Sequence, residues 1–211
     1  MRQRPLAASE IPGNVVFVMI MKRAVGFFGG SFDPIHFGHI NLALQILETH
    51  SLEQVLFCPA FCSPFKKDHP PKASPSHRLA MLELALEEIP GFAVSRLEID
   101  RGGVSYTIDS LRSLQSEGVA LRLVLSDDAA AHFSRWKEAE EILRIAPPLV
   151  GVRGGGERGP LPDCLKKGFT SMHAMDVSST EIRRRLNKKL YCGHLVPRKA
   201  LDYIQAHQLY S

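Results

Sequence analysis

Ala24-Val25-Gly26-Phe27-Phe28-Gly29-Gly30-Ser31-Phe32-Asp33-Pro34-Ile35-His36-Phe37-Gly38-His39 is the stretch that decides the fold of this chain. An apolar run over 24–28 empties into two glycines and a Ser-Phe-Asp-Pro turn, and apolar residues then recur at Ile40, Ala43, Leu44 and Leu47. That recurrence is the i, i+3, i+4, i+7 stripe of an amphipathic helix, so the stretch reads as buried strand, glycine turn and helix start. A helix start offers N–H groups without intrahelical partners at the positive end of the macrodipole, which suits phosphate. Gly29 and Gly30 let the backbone approach a bulky anion, and His36 and His39, flanking Gly38, add side-chain donors. A plain strand–helix turn with a capping histidine accounts for Gly-Gly or for one histidine, but not for the pair behind this turn. Neither G-x-x-x-x-G-K-[ST] nor G-x-G-x-x-G stands here, so the cluster is neither a P-loop nor a dinucleotide turn. It is built to hold a polyphosphate.

Outward from this stretch, apolar strand-like segments recur at about 54–59, 92–95, 121–125 and 148–152. Helix-like segments separate them: a stripe at Leu79, Leu82 and Leu86, then 106–117 and 136–144. Alternating strands and helices predict an α/β fold, a single Rossmann-like, doubly wound domain with a mainly parallel sheet over residues 21–211. In such sheets ligands lie at the carboxyl ends of strands where the strand order reverses, which is where the 29–39 cluster would fall. The Pro-, Lys- and His-rich loop over 59–75 is expected to be an exposed, mobile flap. Residues 151–159, rich in glycine but with no clear helix behind them, read as a flexible linker and not as a phosphate cradle.

A length of 211 residues suits one domain with a sizeable core. The formal charge of +4 is modest and its Lys and Arg are scattered, unlike the dense basic face of a nucleic-acid reader. Cys58, Cys62, Cys164 and Cys192 lack the paired spacing of a zinc site and are expected to be reduced, structural residues of a cytoplasmic protein. Residues 15–21 form an apolar run behind Arg2 and Arg4, too short to span a bilayer and without a small-residue cleavage site. Residues 1–20 therefore read as an upstream extension, with Met19 or Met21 as the true start. No membrane or nucleic-acid partner is expected, and a homo-oligomer stays open.

A second segment carries its own chemistry. Ser178 followed by Glu181 fits a capping box and places a helix start at Ser178-Ser179-Thr180-Glu181-Ile182-Arg183. Ser179 and Thr180 then present hydroxyls in the first turn, and Arg183 follows one turn on with a guanidinium fork suited to phosphate. Arg184 and Arg185 read as solvated. Asp33 is either a turn-forming residue or an orienter of a histidine, and Asp109 reads as structural.

Residues 29–39 resemble the (H/T)-x-G-H signature of the nucleotidyltransferase superfamily, and residues 178–183 are similar to its I-S-S-T-x-I-R segment. Pro64-Phe65-Lys66, His77-Arg78-Leu79, Ser105-Tyr106-Thr107, Asp128, Trp136 and a tail with Val196-Pro197, Tyr203-Ile204 and Leu209-Tyr210 resemble bacterial nicotinate-nucleotide adenylyltransferases. The likeness runs from Ala24 to the end. It implies adenylyl transfer from ATP to nicotinate mononucleotide, giving deamido-NAD and pyrophosphate in NAD biosynthesis, with Mg²⁺ bound to ATP. By the same resemblance, His36 and His39 are catalytic, with His39 stabilising the transition state. Gly29, Gly30, Ser31, Phe32, Gly38, Ser179, Thr180 and Arg183 would bind ATP. Lys66, Tyr106, Thr107 and Trp136 would bind the acceptor, Trp136 by its aromatic face on the pyridinium ring.

Two places depart from the family pattern. Ser126-Asp127-Asp128 stands where members carry glycine, a small residue and aspartate, and Phe65 replaces a frequent histidine. Three alternatives stay open: nicotinamide mononucleotide as acceptor, phosphopantetheine as acceptor, or a nucleotide-binding regulator whose catalysis has lapsed.

Overall fold

The computed structural model describes residues 23–65, 70–115, 119–153, 162–173 and 175–211. The expected extension at 1–20, the flap lysine Lys66 and most of the glycine-rich 151–159 segment lie outside these residues.

In chain order the elements are β1 (Arg23–Gly30), α1 (Phe37–Thr49), β2 (Gln54–Pro59), α2 (Pro75–Leu86) and β3 (Phe92–Val94). Then come α3 (Leu97–Arg101), α4 (Thr107–Leu114), β4 (Val119–Ser126), α5 (Asp127–Ala130) and α6 (Ala139–Ile145). The last are β5 (Pro148–Arg153), β6 (Phe169–Met172), α7 (Ser179–Asn187) and α8 (Arg198–Ala206). The strands form one sheet in the order β3-β2-β1-β4-β5-β6, and every pairing between neighbours is parallel. The chain winds outward from β1 through β2 to β3, then returns to β4 and winds the other way, which is the doubly wound α/β architecture.

The switch point lies between β1 and β4, and the register opens it. Their pairing runs from Arg23 opposite Val119 to Phe27 opposite Leu123 and stops there. Beyond it, Phe28 to Gly30 stay paired with β2 as far as Gly30 opposite Pro59, while Val124 to Ser126 stay paired with β5. The two central strands thus diverge at their carboxyl ends and leave a crevice between them, as strand-order reversal requires.

Successive side chains of a strand face opposite sides of the sheet, so Phe27 and Phe28 enter different cores. Phe28 packs with Val55, Phe57, Val124 and Leu149 beneath α1, α2 and α8. Phe27 packs with Val25, Leu121, Leu123 and Val150 beneath α4 and α6. Both cores are dominated by fully buried aliphatic and aromatic side chains, the pattern of a parallel sheet covered on both faces.

Several expectations shift. A sixth strand, β6, lies at the sheet edge over the sequence Phe-Thr-Ser-Met, too short and polar to stand out. The helix expected over 136–144 begins only at Ala139, because Trp136 is extended after a 3₁₀ turn (Phe133–Arg135) and Glu138 adopts a left-handed conformation with φ 53°. The 106–117 helix is α4, with Tyr106 as its N-cap. The glycine-rich segment's first residues, Gly151 to Arg153, belong to β5.

The described flap residues are in part exposed, as at Phe61 and Phe65, and in part tied to their neighbours. Ala60 and Ala73 are buried, Cys62 bridges to Val104, and the Phe61 N–H donates to Ser105 Oγ. These backbone groups leave solvent and need partners, which the neighbouring loop supplies. All four cysteines are free; Cys58 and Cys192 are buried, Cys62 is half-buried and Cys164 is exposed.

Candidate active site

The crevice between β1 and β4 widens into a cleft of about 820 Å³. Its floor is Gly29, Gly30 and Ser126 at the strand ends, and its walls carry both histidines, Arg183, Tyr106, Thr107 and Trp136. Ser31, Phe32, Gly38, Ser179 and Thr180 also face it, so every described residue singled out from the sequence as ATP- or acceptor-binding meets in one place.

His36 sits just before α1, in extended conformation, and His39 lies in its first turn. Their rings stack with centroids 3.7 Å apart and planes 26° from parallel. Phe32 supports this pair from the core: its buried ring meets His39 edge-on at 5.1 Å and Phe28 edge-on at 5.4 Å. Gly30 is needed for this packing, since a Cβ there would come within 2.9 Å of the Phe32 ring. One first-turn donor of α1 is already engaged, with the Phe37 N–H on Leu195 O at 3.0 Å.

Asp33 does more than turn the chain, since its carboxylate gathers donors from other segments. Its Oδ2 accepts the Lys72 N–H at 2.8 Å, and its Oδ1 accepts the Ala73 N–H at 3.0 Å and the Tyr210 hydroxyl at 2.7 Å. Burial and the Asp33 carboxylate push the Tyr210 phenol well above its ordinary pKa, so it remains a donor. Arg183 donates through Nη1 to the Asp33 main-chain oxygen at 2.7 Å and through Nη2 to Thr180 Oγ1 at 3.2 Å.

Half the expected capping box forms at α7. Ser178 Oγ accepts the Glu181 N–H at 3.2 Å, while the Glu181 carboxylate pairs with Arg184. Arg184 pairs with Glu181 and Arg185 donates to Tyr191 O, both bonds lying at the exposed surface of the helix. The Ser179 hydroxyl donates to Pro34 O at 3.0 Å. It ties α7 to the turn after β1.

Beneath the turn lies Arg78, which the sequence reading assigned no role. It is 1 % exposed and donates to Ser31 O, Ala73 O and Phe61 O at 2.8, 3.3 and 3.3 Å. Burial lowers its pKa and the Asp33 charge opposes that fall. Its signal was available: Arg78, Met81, Leu82 and Ala85 share the buried i, i+3, i+4, i+7 face of α2. A charged residue on an apolar stripe must find partners inside.

At the other end of the cleft Trp136 lies between Phe133 and Phe65, with ring centroids at 5.6 and 6.3 Å. Phe65, standing where a histidine was expected, is 51 % exposed and tilted toward Trp136. Lys137 lies over the Tyr106 ring at 4.7 Å and bridges to Asp109. Ser126 caps α5 through its Oγ, accepting the Ala129 N–H at 3.4 Å. Glu98, buried and accepting the Ser110 hydroxyl at 2.6 Å, is a further cleft residue that the sequence did not single out.

Among the described residues no three His, Cys, Asp or Glu side chains gather as a metal cage, and no helix is long and apolar enough to cross a membrane. Residues 27–185 match the cytidylyltransferase-like family. A probable nicotinate-nucleotide adenylyltransferase of Herpetosiphon aurantiacus is 36% identical over 88% of this chain and 98% of its own length. One from Roseiflexus sp. is 38% identical over 88% of this chain and 97% of its own. The fold matches the Plasmodium falciparum nicotinic acid mononucleotide adenylyltransferase complexed with NaAD, with a TM-score of 0.70 and 19% identity, covering 89% of this chain and 97% of that one.

Proposed function

Because the chain belongs to the nicotinate-nucleotide adenylyltransferases of the cytidylyltransferase-like family, we propose that its cleft aligns ATP with nicotinate mononucleotide for in-line attack at the α-phosphorus. The observation that carries the assignment of roles is the sharing of one cleft by the stacked histidines, Arg183 and the Trp136 wall.

The reaction asks little covalent work of the protein. The acceptor phosphate oxygen bonds to the α-phosphorus as the bond to pyrophosphate breaks, and the task is to bring two anions together and stabilise the departing charge. The Gly29-Gly30 turn admits the phosphates close to the backbone. His36 and His39 donate to the triphosphate, with His39 placed to follow charge onto the transferring group. Arg183, braced by Asp33 and Thr180, meets the β- and γ-phosphates with its remaining N–H groups.

The donors at this end are N–H and O–H groups, which suit phosphate oxygens, so Mg²⁺ would enter on the triphosphate and be held by it and by water. Bound there it would supply positive charge to offset that of the leaving pyrophosphate.

The acceptor takes the other end. Trp136 offers a face to the cationic pyridinium ring. The hydroxyl of Thr107 and the first-turn N–H groups of α4 suit the nicotinate carboxylate. Tyr106 is held by Lys137 over its ring and lines the ribose side. Lys66, as a flap cation, is proposed to meet the acceptor phosphate.

Pyrophosphate release from ATP and Mg²⁺ tests the reading, with nicotinate mononucleotide, nicotinamide mononucleotide and phosphopantetheine compared as acceptors. Release that depends on the nicotinate substrate supports it. Release with another acceptor keeps the mechanism and moves the pathway, and ATP binding without release favours a lapsed, regulatory protein.

A further inference from the structure

The segment that follows α8 reaches the turn after β1 through Tyr210. Tyr210, next to the end, donates its hydroxyl to Asp33 Oδ1 at 2.7 Å. That oxygen also accepts the Ala73 N–H, while Oδ2 accepts the Lys72 N–H and lies 3.7 Å from Arg183 Nη1. The same guanidinium nitrogen donates to the Asp33 main-chain oxygen at 2.7 Å. One aspartate therefore joins four parts distant in sequence: the turn after β1, the entry to α2, the α7 arginine and the C-terminal tail. Asp33 is 5 % exposed, so its carboxylate depends on these donors in place of water.

We propose that Tyr210 is a positioning residue for adenylyl transfer, acting through Asp33 to hold the Arg183 guanidinium at the phosphate end of the cleft. The proposal rests on the role given to Arg183 above. The phenol restrains the carboxylate from one side while the flap N–H groups restrain it from the other. The Asp33 backbone is thereby fixed, and with it the carbonyl that Arg183 uses as its anchor. Without the hydroxyl the carboxylate keeps two donors, so the fold survives, but the carboxylate gains freedom to turn toward Arg183. Tightening of the ion pair already present there, 3.7 Å between Oδ2 and Nη1, would draw the guanidinium away from an incoming phosphate. Tyr210 thus sets how much of the arginine is available to substrate.

The test is a double-mutant cycle on Tyr210→Phe and Arg183→Ala, with kcat and both KM values measured by pyrophosphate release and folding checked by thermal melting. Tyr210→Phe removes the hydroxyl and keeps the ring. It is expected to lower kcat about tenfold, to leave the acceptor KM within about twofold, and to have no further effect once Arg183 is alanine. An equal loss in both backgrounds makes Tyr210 a merely structural residue and overturns the proposal, as does an unchanged kcat. Asp33→Asn, which weakens the same contact from the other side, carries the cycle if Tyr210→Phe is not recovered folded. If the unaltered protein turns over no acceptor, the reaction assigned above fails, and the proposal is judged on ATP affinity by titration calorimetry in the same four proteins. Weaker ATP binding by Tyr210→Phe only where Arg183 is present supports it, and equal affinity overturns it.

Discussion

The imidazole rings of His36 and His39 lie face to face, 3.7 Å between centroids, although only His39 belongs to the helix. The three-residue spacing brings them onto one side of the helix start, and Phe32 beneath fixes the second ring. The two rings are so held at the start of α1, on the wall of the cleft. His39→Ala is expected to lower kcat by about 10²–10³-fold, the loss typical of one preorganised donor, with KM for ATP changed far less. Steady-state pyrophosphate release checks this, and a near-normal kcat would remove His39 from the chemistry.

Gly38 separates the two histidines for a packing reason. A Cβ there would lie 2.7 Å from Val177 Cγ1 and 3.1 Å from the His36 ring. Val177 belongs to the loop entering α7, so one methyl group would push the histidine pair and the arginine helix apart. Gly38→Ala is expected to lose about 1–3 kcal/mol of stability by overpacking. Its kcat at a temperature where it is fully folded should fall at least about tenfold, since a misplacement of the aligned groups slows the reaction. Full activity in a folded Gly38→Ala would show that the two walls of the cleft can move independently.

Arg183 uses its fork on two oxygens of the protein, Asp33 O and Thr180 Oγ1, and turns the rest to the cleft. A lysine supplies the charge but not the planar set of donors. Arg183→Lys is therefore expected to lower kcat/KM by about 10-fold to 100-fold, with a melting temperature close to that of the parent. Kinetics indistinguishable from the parent would reduce Arg183 to a point charge.

What was legible in the sequence was whatever is local. The strand, glycine turn and helix at 24–39 lie within one stretch, so their order, the doubly wound sheet and the histidine pair follow from periodicity and turn chemistry. The partners of Asp33 do not: Lys72, Ala73, Arg183 and Tyr210 come from three other segments, and nothing in a linear pattern pairs them. The bond of the Ser179 hydroxyl was hidden for a similar reason, since its acceptor, Pro34 O, lies 145 residues away. Arg78 was within reach, because a charge on the buried face of α2 violates the helix's own pattern. The edge strand β6 was not, having four residues and no alternation of strongly apolar side chains.

The cysteines differ enough to be told apart chemically. Cys58 is buried on β2, and burial first, then the nearby Glu98 charge, pushes its pKa up to about 12. Cys164 is exposed. Alkylation follows the thiolate and its accessibility. At mildly alkaline pH a maleimide or iodoacetamide should label Cys164 first and leave Cys58 untouched until the protein is denatured, as read by peptide mass mapping. Labelling of native Cys58 at the rate of Cys164 would contradict the burial of β2.

His50 links the pH of the medium to the sheet edge. It ends α1, and its Nε2 lies 2.8 Å from Thr170 Oγ1 on β6. Burial first, and the positive charge of Arg122 second, lower its pKa below the ordinary 6.5. The folded protein therefore holds the neutral ring more readily than the unfolded chain does. This contribution to stability is complete above pH 6.5 and is lost as pH falls through the interval between that value and the lower folded pKa. Replacing His50 by glutamine keeps a hydrogen-bonding group without a titrating one. Urea unfolding of both proteins between about pH 7 and about pH 5 should show a steeper loss of stability in the parent. Since other titrating groups are common to the two, the difference in slope reports His50 alone, and parallel slopes would mean that its environment is as hydrated as in the unfolded chain.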